Sequence, residues 1–471
     1  MMKKLIAAVC AAGLALAGAV PMAAQAMSFP LKTPIQSESA MLINLDCNTV
    51  VHEKNADTKQ MPGPLVNIMT AVVCLENCEN LDQEVTIHES VFEDLYVTDY
   101  PDDLRFADIE DGDVLTITDL LYAMMLTSSI EASQTIAYTI GDESVGVFVE
   151  MMNKKAEELG LENTHFTNPT GMYDENQYTT ARDIATLTQY ALTVPMFETV
   201  STPFSYKPSV PNPHSHPNTD EWVWYHSNTM MDESSEEYYY PGTRGIKTAN
   251  LERGGRNIVT IASRDGNNYL AVLLKSPLSD ADGNNIYYHL TDAISMFNWA
   301  FSHFSYQVIL ADSAEVGELP VSLAEGNDYV LAKPKEELTV LWYDEIDIST
   351  INKDNIVWYK DQLQAPVKKG DLLGQVTLAY SGEELGTVDI IAVSDVERSF
   401  SKYNMYAVTK FPKSDWFKKA LAVSCVLCAI YILFCIYSYI VFKSRSKPLK
   451  PIYAVPKVDK PKKKKGSGKD Q

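Results

Sequence analysis

The spacing of apolar residues divides the chain into three textures. The first runs to about Ser305 and mixes two periods. "SAMLINLDCNTVV" (39–51) reads as a strand, with "EKNAD" as its turn. After Pro62-Gly63-Pro64, the residues Leu65, Ile68, Met69, Val72 and Val73 recur at helical spacing, so a loop enters a helix over 65–80. Residues 113–141 predict an amphipathic helix, a break near Thr127-Ser128-Ser129, and a second helix. Residues 145–160 predict another, ended by Gly160, and residues 179–192 one more, with Thr and Asp at its start. Residues 257–275 read as strands joined by an Asp-Gly turn. Interleaved helices and antiparallel strands make this an α/β or α+β domain.

The second texture, from about 306 to 395, alternates with a period of two between Gly, Pro and Asp breaks, which predicts a small all-β sandwich. Residues 396–419 read as a juxtamembrane connector. The third texture is an unbroken apolar run, 420–442, of 23 residues. At ~1.5 Å per residue it reaches about 35 Å, enough to span a membrane core of roughly 30 Å. Eleven Lys and Arg residues follow it, against two acidic residues, in the tail 443–471. That asymmetry predicts a single-pass helix with the large domain outside and the basic tail in the cytoplasm.

Residues 1–26 carry Lys3 and Lys4, an apolar stretch from Leu5 to Val20, and Ala24-Gln25-Ala26, the pattern of a secretory signal peptide. The net charge of −23 hides the basic tail, so the exported part, before Ala420, is strongly acidic. Such a surface excludes nucleic acid as a partner. Cys10 lies in the signal peptide, and Cys425, Cys428 and Cys435 in the apolar run. Cys47, Cys74 and Cys78 remain. Cys74 and Cys78 share a helix face, and a bridge from Cys47 to either stays open beside free thiols. The eight histidines form no metal spacing; His214 and His216 sit in a Pro-rich loop.

Several stretches resemble the serine-type D-alanyl-D-alanine carboxypeptidases, the low-molecular-weight penicillin-binding proteins of bacteria. They are "LINLDCNTVVHEKNAD", "NIMTAVVCLE", "LTITDLLYAMML", "MNKKAEELGLENTHFTNPTGMYDENQYTTARDIATL" and "GIKTANLERGGRNIVTIASRDG". "APVKKGDLLGQVTLAYSGEELGTVDII" resembles that family's C-terminal β-domain. The resemblance covers roughly 39–395. It implies a penicillin-binding, β-lactamase-like α/β domain (an antiparallel sheet flanked by helices) over 27–305, and no cofactor or metal.

The resemblance also implies three catalytic motifs, Ser-x-x-Lys, Ser-x-Asn and Lys-Thr-Gly. A serine at a helix start and a lysine three residues on share a face, so the amine takes the hydroxyl proton. This chain departs from all three. The nucleophile and base positions hold Pro64 and Asn67; neither side chain does that chemistry. The second motif keeps Ser128 but has Ile130 for its Asn. The third keeps Lys247 and Thr248, with Ala249 for its Gly. Proline suits the first turn of a helix, so the fold tolerates Pro64. The expectation is an inactive homologue acting at the peptidoglycan, holding stem peptide or a cell-wall protein through Ser128, Lys247 and Thr248. The alternative is an active carboxypeptidase that trims peptidoglycan pentapeptides with a non-standard residue set.

Overall fold

The computed structural model describes residues 25–26, 29, 31–208 and 222–446. The cleavage site aside, the predicted signal peptide lies outside these residues, as do His214, His216 and most of the basic tail. Contacts divide the chain into two compact units. One comprises the described residues up to Asp312 together with Glu336–Ile356 and Gln375–Val388. The other comprises Ser313–Lys335, Val357–Gly374 and the described residues from Asp389 on.

The first unit is built on one sheet. Its strands are β1 (Ser39–Asn44), β2 (Thr49–Lys54), β3 (Thr243–Leu251), β4 (Gly255–Arg264) and β5 (Asn267–Ser276). The order is Gln25–Ala26, β2, β1, β5, β4, β3, so β3 is an edge. The pairing is antiparallel from β2 to β3. The stretch 39–51, expected as one strand, is two. Asn44 accepts the N–H groups of Asp46 and Cys47 through Oδ1 at 3.0 and 3.1 Å, and Asn48 takes φ +53°. Side chains that bond the local backbone and tolerate the left-handed region turn the chain there. At the other hairpin, β4 and β5 join at Asp265-Gly266 as expected.

Period-two alternation gives each strand two faces. Met41, Ile43, Val259, Ile261, Leu270 and Val272 face one core, and Leu42, Ile258, Tyr269, Ala271 and Leu273 the other. The first core is closed by α1 (Asn67–Asn77), α2 (Ile117–Thr127), α3 (Ile130–Ile140), α4 (Val145–Glu158) and α5 (Ala181–Ala191). The second is closed by α6 (Tyr288–His303). The central helix α1 is buried at every residue from Asn67 to Cys74, which explains its lack of a polar face. Capping follows the sequence closely. Thr116 and Asp119 form a reciprocal capping box on α2, and Thr180 caps α5.

Beyond Phe304 strands dominate. In the first unit Phe304–Leu310 pairs antiparallel with Leu338–Tyr343. In the second, Gly317–Ser322 pairs antiparallel with Tyr329–Pro334, whose residues Ala332 to Pro334 pair in turn with Ala392 to Ile390. The chain thus has an antiparallel sheet flanked by helices, followed by a strand-rich region. The connector region contains a helix, α7 (Phe400–Lys410). It is followed by α8 (Asp415–Arg445), 31 residues that include an unburied 18-residue stretch of mean hydropathy 2.5. By length and composition α8 can cross a membrane. All six cysteines among the described residues are free; Cys74 is buried and Cys47 exposed.

Candidate functional site

The floor of the cleft is the loop entering α1. Gln60 exchanges backbone hydrogen bonds with Thr179 at 2.8 and 2.9 Å, and Asn257 on β4 donates to the carbonyls of Met61 and Pro62 at 3.0 and 3.1 Å. Gly63 turns the chain at φ +55°, and a single 3-10 turn, Gly63–Val66, carries Pro64 into α1. Gly171, from "HFTNPTGM", packs against this turn. A Cβ there would lie 2.2 Å from the Gly63 carbonyl oxygen and 2.5 Å from the Pro64 nitrogen, and its φ is +82°. Only glycine meets both demands.

Asn67 is fully buried. Its Nδ2 donates to the Pro169 carbonyl at 3.0 Å and to Ser133 Oγ at 3.2 Å, while Oδ1 has no partner. Thr70 also donates to Pro169, at 2.9 Å. The amide therefore pins the 166–172 loop to α1 and α3. It has no contact with a reacting group.

The second wall is the junction between α2 and α3. Ser128 ends α2 in the left-handed region, φ +67°, and Ser129 caps α3 by accepting the Ala132 N–H at 3.0 Å. Ile130 is buried and turns away from the cleft. Beside it Glu131 is buried, accepting the Ala107 N–H at 3.2 Å and the Ser129 hydroxyl proton. Burial pushes its carboxyl above the usual range, against those donors. This carboxyl fixes the segment that carries Arg105 to the cleft.

The third wall is edge strand β3. Lys247, expected as a cation offered to ligand, is fully buried. Its Nζ donates to the carbonyls of Met124 and Met125 at 2.7 and 2.8 Å and to Ser128 Oγ at 2.8 Å. It thus satisfies the last turn of α2, where a cation is favoured. Burial pulls the Lys247 ammonium well below its ordinary value. His226, also buried, is depressed to about 3 by burial and then by the Lys247 charge. Next on the strand, Thr248 Oγ1 lies 2.6 Å from Ser227 Oγ, and Ala249 is buried.

These walls enclose a cleft of about 190 Å³ lined by Pro64, Arg105, Ser128, Ser227, Thr248 and Ala249, among others. Three of the sequence-predicted positions, Pro64, Ser128 and Thr248, therefore meet at one surface. Lys247 lies behind it, and Asn67 and Ile130 are core. Arg105 and Ser227 had no periodic or motif signal in the sequence; only the fold brings them in. The lining offers hydroxyls and a guanidinium, donors suited to a carboxylate. Elsewhere, ligand atoms of His303, Asp344 and Glu345 lie within 4.8 Å of one another, a grouping that sequence spacing did not show. Glu345 is already paired with Lys32.

The model of the D-alanyl-D-alanine carboxypeptidase family matches residues 23–277, and that of the penicillin-binding protein 5 C-terminal domain matches residues 304–398. The chain is 25% identical over 380 residues to the D-alanyl-D-alanine carboxypeptidase DacF of Bacillus subtilis, covering 80% of this chain and 91% of that one. It is 29% identical over 264 residues to a D-alanyl-D-alanine carboxypeptidase of a Streptomyces species, 54% of this chain and 87% of that one. Among solved structures, penicillin-binding protein 5 of Haemophilus influenzae shares the fold with a TM-score of 0.54 at 21% identity, over 79% of this chain and all of that one. The carboxypeptidase DacD of Francisella tularensis gives 0.56 at 17%, over 82% and 99%.

Proposed function

Because the chain belongs to the D-alanyl-D-alanine carboxypeptidase family, we propose that it works at the bacterial cell wall as a member that binds without cleaving. Its ligand is peptidoglycan stem peptide or a cell-wall protein. It is exported by its signal peptide and held in the membrane by α8, with its basic tail in the cytoplasm. The observation that carries this reading is Pro64 on the floor of the cleft. The start of α1, where a nucleophile would be activated, presents a pyrrolidine ring, and the amide of Asn67 is engaged with Pro169 and Ser133. Loss of a nucleophile with its base typically removes several orders of magnitude of rate. The other two walls keep Ser128 and Thr248, with Ser227 bonded to Thr248, which supports retained binding.

Labelled penicillin tests this directly. The full-length protein in isolated membranes is expected to carry no penicilloyl adduct, and an adduct would overturn the reading. Pro64→Ser combined with Asn67→Lys is expected to acquire slow labelling, since the helix start and the Ser128–Lys247 contact are in place.

A second reading is an active enzyme using Ser128. The 2.8 Å contact with Lys247 favours it. With the amine neutral, its two N–H groups serve the Met124 and Met125 carbonyls, and its lone pair accepts the Ser128 hydroxyl. Release of D-alanine from a pentapeptide, abolished by Ser128→Ala, would establish it.

A further inference from the structure

A second pocket, of about 280 Å³, shares no lining residue with the cleft. Lys59, Gln60, Gln177, Tyr178, Arg253 and Lys275 are among its lining, brought together from four parts of the sequence. Its floor is rigid. Gln60 and Gln177 are buried. The Gln177 carbonyl accepts the N–H groups of Thr167 and Asn168 at 3.1 and 3.3 Å, and Gln60 is bridged to Thr179 through the backbone.

The rim carries three cations. Lys275 is neutralised by Glu38 at 2.8 Å. The other two are placed by aromatic rings instead of carboxylates. Lys59 Nζ stands 3.9 Å from the centre of the Tyr178 ring. The Arg253 guanidinium lies 5.5 and 5.4 Å from the rings of Tyr100 and Tyr173, and donates to the Tyr173 hydroxyl at 3.2 Å. Among the described residues neither cation has a carboxylate within ion-pair distance, in a chain with 62 acidic residues against 39 basic ones. A ring holds a cation in position without consuming its charge. Glu175 is the one carboxylate on the lining, and it is exposed.

The geometry points to this pocket as a binding site for an acidic peptide, whose carboxylates meet Lys59 and Arg253. The two cations come from separate chain segments, so a ligand carrying more than one carboxylate is the one that engages both. The site acts independently of the cleft, and its test is separate from the penicillin test.

The full-length protein in phosphatidylcholine nanodiscs, which present no net anionic lipid, is titrated calorimetrically with tetraglutamate. Lys59→Ala and Arg253→Ala are each expected to weaken binding about three- to fivefold, the range of a single exposed charge pair. Lys59→Arg is expected to retain it, which separates charge from folding. Glu175→Gln is expected to tighten it about twofold. Thr248→Ala, in the cleft, is expected to leave it unchanged. The proposal fails if tetraglutamate does not bind, if binding ignores Lys59 and Arg253, or if it responds to Thr248→Ala instead. Inorganic phosphate that binds more tightly than the peptide, with the same dependence on both cations, would also overturn it in favour of a phosphate ligand.

Discussion

At the scale of single residues, the motif positions fall into two kinds. Asn67 and Lys247 have become, or remain, parts of the framework. Pro64 and Ala249 change what the cleft can touch. Removing a framework group leaves buried polar atoms without partners. Lys247→Met strands the carbonyls of Met124 and Met125 and should cost about 2–4 kcal/mol, read as a lowered urea midpoint. Asn67→Ala should cost less, about 1–2 kcal/mol, because Thr70 still donates to Pro169 and the unpaired Oδ1 goes with it. If Asn67→Ala proves the more damaging of the two, the framework role assigned to Lys247 is wrong.

At the scale of elements, the junctions matter more than the elements. The turn at Gly63–Val66 is held by Gly171, a hundred residues away in sequence, and Gly171→Ala drives a methyl into backbone from both φ and contact. It should destabilise by about 2–4 kcal/mol and abolish any penicillin labelling gained by the Pro64→Ser, Asn67→Lys variant. Thr116→Ala, which removes only the α2 cap, should cost about 1 kcal/mol and leave the cleft intact. Helices α2 to α5 and the β4–β5 hairpin were legible because period and caps are local signals. Pro64, Ser128 and Thr248 were legible because motif spacing assigns them to a helix start, a helix end and an edge strand. What the sequence could not show were pairings set by long-range packing. Asn67 bonds Pro169, Lys247 turns inward beneath Ser128, and Lys59 and Arg253 arrive at one pocket from separate segments. The break at Asn44–Asn48 is masked in the sequence because Ile43, Leu45 and Cys47 continue the apolar alternation into it.

At the scale of the whole molecule, two buried histidines set the response to acid. Burial depresses His226 and His289 to about 3, the former also beside Lys247 and the latter beside Arg256. Their folded values lie below the unfolded value of ~6.5, so as pH falls the unfolded chain takes up protons first. Stability is therefore lost between about pH 6.5 and 3, on the order of 2 kcal/mol per histidine by pH 5. Glu131, raised by burial, works in the opposite sense and returns part of this as it protonates. Urea unfolding followed by near-ultraviolet circular dichroism should show a lower midpoint at pH 5 than at pH 7; equal midpoints would refute burial of neutral histidines. The membrane reading has its own check. In spheroplasts, added protease should digest the large domain and spare an epitope placed after Arg445; digestion of that epitope would reverse the orientation.

Pro64 differs from serine at two atoms. It lacks the hydroxyl, and it also lacks the backbone N–H. In acyl transfer the nucleophile's own amide commonly helps hold the developing oxyanion. In the reading proposed above, the ring that suits the helix start stands in place of a nucleophile and a transition-state donor at once. Pro64→Ala restores only the donor, and Pro64→Ser restores both. Comparing how tightly the two variants bind a boronic acid or phosphonate mimic of the tetrahedral intermediate would separate the two losses. In that reading, no change elsewhere in the cleft supplies the donor while the ring stays at position 64.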